Sequence, residues 1–119
     1  MKKFLLILPL LLAPAFARAQ DATVSALQDA VKANPNSYDA HFNLGVAFFN
    51  GRQYDLAAPE FKRAMDLKGG DSQAREMYES SLGIAAYLKQ DFSNAIPHLK
   101  AVLAVNPKNP NANLLLGNA

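Results

Sequence analysis

The sequence contains no cysteine. That absence excludes a thiol nucleophile, a disulfide framework and a lipid-modified amino-terminal cysteine, and it fits an exported protein that needs no disulfides. Sustained alternation of apolar and polar residues is also missing, so no segment reads as a half-buried β-strand. There is no low-complexity stretch, no flexible linker and no glycine-rich phosphate loop; the adjacent Gly69 and Gly70 read as a helix stop. Only two histidines are present, His41 and His98, and neither has a second histidine or a carboxylate at metal-ligand spacing on its own helix. Their expected roles are surface or packing ones. The carboxylates Glu60, Asp66, Glu76 and Glu79 are scattered and read as solvated helix faces. No catalytic constellation can be assembled from these residues, so neither an enzyme nor a metal or cofactor is expected.

Excess charge is lacking too, once the amino terminus is set aside. Residues 1–3 are Met-Lys-Lys, residues 4–16 form an almost wholly apolar run, and Ala15, Ala17 and Ala19 offer small residues at A-x-A spacing. This is the layout of a secretory signal peptide over residues 1–19, with cleavage expected after Ala19 and Ala17 as the second choice. A retained membrane anchor fits less well, because the run has 13 residues where a spanning helix needs about 20. Pro9 and Pro14 weaken a long helix further. Removing Lys2, Lys3 and Arg18 takes the twelve basic residues to nine, against ten acidic. The mature chain is then about neutral, and nothing in it calls for nucleic acid or an anionic membrane surface. A bare Lys-Lys head with a compact apolar core looks bacterial, which places the mature chain in a periplasm or outside the cell.

What is present is helical periodicity. Val24, Leu27, Ala30 and Val31 mark a helix over 22–33, stopped by Asn34 and Pro35. Asn36 or Ser37 can cap a second helix running to about residue 50, where Gly51 breaks the pattern. A third helix spans 54–67, with Leu56, Ala57, Phe61, Ala64 and Met65 facing inward. Asp71 or Ser72 can start a fourth, which runs to about residue 89. A fifth covers 92–105, and a sixth begins near Pro110.

Within this series, residues 43–65 align without a gap on residues 81–103. Leu44 and Gly45 fall on Leu82 and Gly83, Ala57 on Ala95, and Pro59 on Pro97. Phe49 falls on Tyr87, Tyr54 on Phe92, and Phe61 on Leu99. Such self-similarity is the mark of a repeat protein. Pro59 and Pro97 each follow the aromatic residue that opens their helix, so both are expected in or near its first turn. A mid-helix Gly45 costs up to about 1 kcal/mol against alanine, which makes sense if another helix passes close by. Ala57, small and on the next helix, is the expected residue opposite it. The unit is an antiparallel helix pair packed on its neighbours.

At these residues the chain resembles the tetratricopeptide repeats, helical hairpins of about 34 residues. The matching positions are Leu44, Gly45, Phe48, Ala57, Phe61 and Ala64 in the first copy. Leu82, Gly83, Ala95 and the closing Pro107 match in the second, with Leu99 and Val102 as apolar replacements. Asn34, Pro35, Ala40, Leu44 and Gly45 also match Asn106, Pro107, Ala112, Leu116 and Gly117. The resemblance implies an all-α fold of hairpin repeats stacked as a right-handed α-solenoid, with a half-repeat over 21–35, repeats over 36–70 and 71–107, and a partial repeat over 108–119. The full copies are 38 residues apart rather than 34, and the extra four, around residues 69–72, would lengthen the fourth helix by about one turn. His41 and Glu79 stand where the family often carries a large aromatic.

The resemblance also implies a binding surface. The first helix of each pair would line a concave face showing Asp39, Phe42, Asn43, Val46, Phe49 and Asn50 from the first copy. Met77, Ser80, Ser81, Ile84, Tyr87 and Leu88 would follow from the second. No lysine or arginine joins them, so the face suits an apolar peptide or partner helix rather than a peptide carboxylate. Burial of Phe42, Phe49 and Tyr87 between repeats is the competing expectation. The expected function is therefore a non-catalytic protein-interaction module of the cell envelope. Its alternative is an oligomerisation or docking segment of a larger exported protein with an enzymatic domain further on. Leu114, Leu115 and Leu116 would lack a covering helix, so either the chain is a piece of a longer protein, the favoured reading, or another subunit covers that end as a homo-oligomer.

Overall fold

The computed structural model describes the backbone of residues 14–118 and the side chains of 21–118. Residues 1–13, on which most of the expected leader falls, lie outside the described residues. Within them the chain is all helical: α1 (Pro14–Ala33), α2 (Tyr38–Asn50), α3 (Tyr54–Leu67), α4 (Ser72–Leu88), α5 (Phe92–Val105) and α6 (Pro110–Asn118). Each helix packs mainly on the next, and α2/α3 and α4/α5 form the two hairpins.

Local chemistry sets the boundaries. Ser37 accepts the Ala40 N–H at 3.1 Å and opens α2. Asp71 accepts the Ala74 N–H at 3.0 Å and opens α4, and Asn109 accepts that of Ala112 at 3.0 Å to open α6. Gly69 and Gly70 close the first hairpin at φ of 62° and 88°, a region glycine enters without strain. Gly51 ends α2 as the sequence suggested, but the turns inside the hairpins do not use glycine for their left-handed residue. Gly51 has φ of −81°, and the left-handed residues are Arg52 and, at the equivalent place, Gln90. The 17 residues of α4 against the 13 of α2 are the extra turn that the sequence spacing required. The first helix starts at Pro14 rather than near residue 22, in keeping with a proline at the first helical position and an alanine-rich turn after it.

The prolines sit deeper than first-turn placement. Pro59 is the sixth residue of α3 and Pro97 the sixth of α5. Each removes a hydrogen bond to the carbonyl four residues back, on Asp55 and Ser93. Both of those residues are exposed, so the lost bond falls on the solvent side, where it costs least.

The close approach of each hairpin has a different partner from the one expected. A Cβ placed on Gly45 would lie 2.8 Å from Cε1 of the Phe61 ring, and one on Gly83 would lie 2.9 Å from Cδ2 of Leu99. The glycine therefore makes room for the large side chain of the second helix, not for Ala57 or Ala95. Around these junctions lie two cores rather than one. Leu44, Phe48, Ala57 and Phe61 form the first, with Val24, Leu27 and Val31 of α1 packed on it. The second is Ala95, Leu99, Val102 and Ala112, with Tyr87, Leu115 and Leu116 against it. Ala64 is fully enclosed as well, Leu82 is half-buried and Pro107 is exposed. Leu56, expected inside, is about half exposed, because it lies one residue off the stripe that faces α2.

A polar pair crosses each hairpin. His41 Nδ1 lies 2.8 Å from Glu60 Oε1, and His98 Nδ1 lies 2.7 Å from Glu79 Oε2. The repeat offset maps His41 onto Glu79 and Glu60 onto His98. The two hairpins hold the same pair with the partners exchanged. Glu60 and Glu79 are thus not solvated faces, as the sequence suggested; they are half-buried and paired across helices. His41 is buried, and its Nε2 also sits 2.7 Å from the Pro35 carbonyl. With Glu60 ionised, both His41 bonds form together only if the ring donates from each nitrogen.

Two stability outcomes follow from this packing. Gly45→Ala and Gly83→Ala each lose a net ~1–2 kcal/mol, overlap outweighing the gain in helix propensity; unchanged urea midpoints would refute the fit. His41→Ala or Glu60→Ala costs about 1–3 kcal/mol, whereas the exchange His41→Glu with Glu60→His recovers more than half of it in a double-mutant cycle. An exchanged pair no better than the singles would show that the two positions do not act together.

Candidate functional site

The α2 stripe predicted to meet a partner divides into two kinds of residue. Asp39, Asn43 and Asn50 are exposed. Between them Phe42, Val46 and Phe49 are half-buried and packed against the first core. Phe42 stacks on Tyr38 with centroids 5.4 Å apart and meets Phe61 edge-on, also at 5.4 Å. Phe49 sets its edge against Tyr54 at 5.0 Å and Phe61 at 6.4 Å. The rings are therefore fixed by the core while part of each faces out, so burial and exposure, posed as rivals by the sequence, coexist. A rigid aromatic floor with amides along it can take apolar side chains and pair a backbone.

The α4 stripe is less open. Met77 and Tyr87 are half-buried, Tyr87 meeting Phe92 edge-on at 5.4 Å. Ser81 and Ile84, predicted as partner contacts, are buried, and so is Ser80. Ser81 stands where α2 carries Asn43, but its short hydroxyl donates back to the Met77 carbonyl at 2.8 Å instead of reaching solvent. Ile84 turns its apolar side chain inward. Leu88 alone stands well out of this stripe, at 64% exposure.

Leu88 belongs to a place the sequence did not single out. It lines an open cleft of about 350 Å³ with Tyr54, Leu56 and Ala85, where the start of α3 meets the end of α4. Lys89 and Asp55 bridge that cleft at 3.4 Å. A second cleft, of about 520 Å³, lies between α1, α2 and α3 and is lined by Val31, Phe48, Leu56 and Pro59. Of the predicted stripe only Leu88 reaches either cleft. The one signal for them was the pair Leu56 and Leu88, each adjacent to a helix's inward face rather than on it.

Polar clasps tie successive first helices together. The Tyr38 hydroxyl donates to Asp71 Oδ2 at 2.9 Å, and Lys68 Nζ lies 4.0 Å over the same ring. The Asn109 amide donates to Glu76 Oε2 at 2.7 Å and that of Asn106 at 3.0 Å. Both Tyr38–Asp71 and Glu76–Asn109 span 33 residues, the same bond with donor and acceptor exchanged. Glu76, too, is therefore not a free surface charge. Burial, then the bond to Asp71 and the charges of Asp71 and Asp39, push Tyr38 up to about 12. The Ala74 N–H and the Tyr38 hydroxyl hold the Asp71 carboxyl below the usual range. The Asn94 side chain, with the Ser93 hydroxyl, does the same for Asp91.

Among the described residues no three histidine or acidic side chains gather as a metal site, and no helix is long and apolar enough to cross a membrane. The known proteins that the chain is similar to agree with the repeat geometry. A tetratricopeptide repeat family model matches residues 10–72 and 81–119, the gap falling in the first half of the extended α4. Among solved structures, MamA AMB-1 superposes with a TM-score of 0.57 at 25% identity, over 80% of this chain and 54% of that one. MamA MSR-1 gives 0.57 at 25%, over 82% and 53%. The chain thus spans about half the length of these structures. No curated protein matches it in sequence. On the family match over most of its length, the chain belongs to the tetratricopeptide repeat family, whose members are typically non-catalytic scaffolds for protein partners.

Proposed function

We propose that the chain is an interaction module of the bacterial cell envelope, binding an apolar peptide or amphipathic helix along α2. The observation that carries this is the exposed series Asp39, Asn43 and Asn50 running beside the half-exposed rings of Phe42 and Phe49. The amides would pair with the partner's polar groups while its apolar side chains lie on the rings. Asp39 biases the site against an acidic partner. Met77 and Tyr87 of α4 extend the surface. Export is proposed from the leader-like residues 1–19, which would leave a mature chain from residue 20.

A second reading has a specific support: the chain matches only about half of each MamA structure. A docking segment within a longer exported protein is consistent with that.

Photo-crosslinking checks the site. A benzophenone amino acid at Asn43 or Asn50 should give a discrete adduct in producing cells, and one at Lys62, exposed on α3, should not. No adduct at the first two, or equal adducts at all three, would remove α2 as the site. Intact-mass analysis of the envelope fraction should show a chain beginning at Gln20, or at Arg18 if the second cleavage site is used. A chain retaining Met1 in the cytosol would overturn export.

A further inference from the structure

The two ends of the described chain are complementary halves of one hairpin. In both complete hairpins a glycine on the first helix receives a large side chain sixteen residues later: Phe61 over Gly45 and Leu99 over Gly83. Gly117 is the third such glycine, and a Cβ there would meet nothing within 4 Å. Around it Leu114 is 61% exposed and Leu116 half-buried, whereas Leu44, the equivalent of Leu116, is 3% exposed. So α6 is a first helix with no second helix over it among the described residues.

At the other end α1 has the register of a second helix. Leu27 and Ala30 occupy the places of Phe61 and Ala64, and of Leu99 and Val102. Those four are enclosed, at 1% exposure or less, but Leu27 and Ala30 are only half-buried. The cause is coverage: α3 is packed between α2 and α4, whereas α1 packs closely on α2 alone.

We propose that copies of this chain join head to tail, α1 of one seated on α6 of the next, with Leu27 filling the space over Gly117. Charge selects this occupant. In the first hairpin Arg63 of α3 reaches Asn36, just before α2, at 2.8 Å. The equivalents of Arg63 and Asn36 across the junction are Asp29 and Lys108, both exposed and of opposite sign. The helix α6 itself carries no charge to oppose the approach. Such a contact uses different surfaces on the two copies and so extends as a chain or closes as a ring. It does not rest on the α2 binding surface.

Sedimentation velocity over a concentration series tests it on the purified protein in its native processed form. The unaltered chain should form concentration-dependent oligomers, and Gly117→Phe should remain monomeric with unchanged helical circular dichroism. Asp29→Lys and Lys108→Asp each weaken association roughly 5-fold, and the doubly reversed chain regains the original affinity. A chain that stays monomeric throughout, as it would if a following segment or an unrelated protein covers α6, overturns the proposal. So does Gly117→Phe assembling like the original, or a double reversal no tighter than the singles.

Discussion

Two helices can approach only as closely as the side chains between them permit. At Gly45 and Gly83 one side chain is missing, and the space is taken by a large buried side chain of the facing helix. Phe61 and Leu99 thereby become the most enclosed large residues of the chain. Everything else in the hairpin is referred to that contact. It fixes the distance between helices, which sets where Ala57 and Ala95 must be small, and it fixes their rotation, which brings residues 41 and 60, or 79 and 98, into hydrogen-bonding range. The rings of Phe42 and Phe49 lean on Phe61 from either side, so the face offered to a partner is held by the same contact.

Given that frame, the polar positions are free to vary in kind but not in place. His41–Glu60 becomes Glu79–His98, and Tyr38–Asp71 becomes Glu76–Asn109. In each case the separation along the chain is kept and donor and acceptor are exchanged. A half-buried polar group needs a complement more than it needs a particular identity. The exchange also explains why a repeat comparison by residue type passes over these positions: each matches its mate across the hairpin, not its equivalent in the next repeat.

The helices were legible in the sequence because capping residues and apolar periodicity agree at nearly every boundary, with Ser37, Asp71 and the Gly69–Gly70 pair in their expected roles. Three things were not. Periodicity gives the face of a side chain but not its reach, so Ser81 and Asn43 looked equivalent, though one is enclosed and the other exposed. Spacing along one helix cannot show a partner on another, so the carboxylates of residues 60, 76 and 79 looked free. The left-handed residues Arg52 and Gln90 were hidden because neither is a residue type that favours positive φ.

The two hairpins share a frame and differ in what they fill it with. The first is built round an aromatic series from Tyr38 through Phe42, Phe61 and Phe49 to Tyr54. The second keeps only Tyr87 on Phe92 and centres on Leu99. Rings that are stiff and half-exposed present a large area at small entropic loss on binding, which is the physical ground for proposing the first hairpin as the platform. Leu99 and Ser81 make the second more closed, and Asp71 at the start of its longer α4 takes the clasp to Tyr38. Stability in a repeat array is carried between neighbours. Here the first hairpin leaves its rings half-exposed while the second is the more closed of the two.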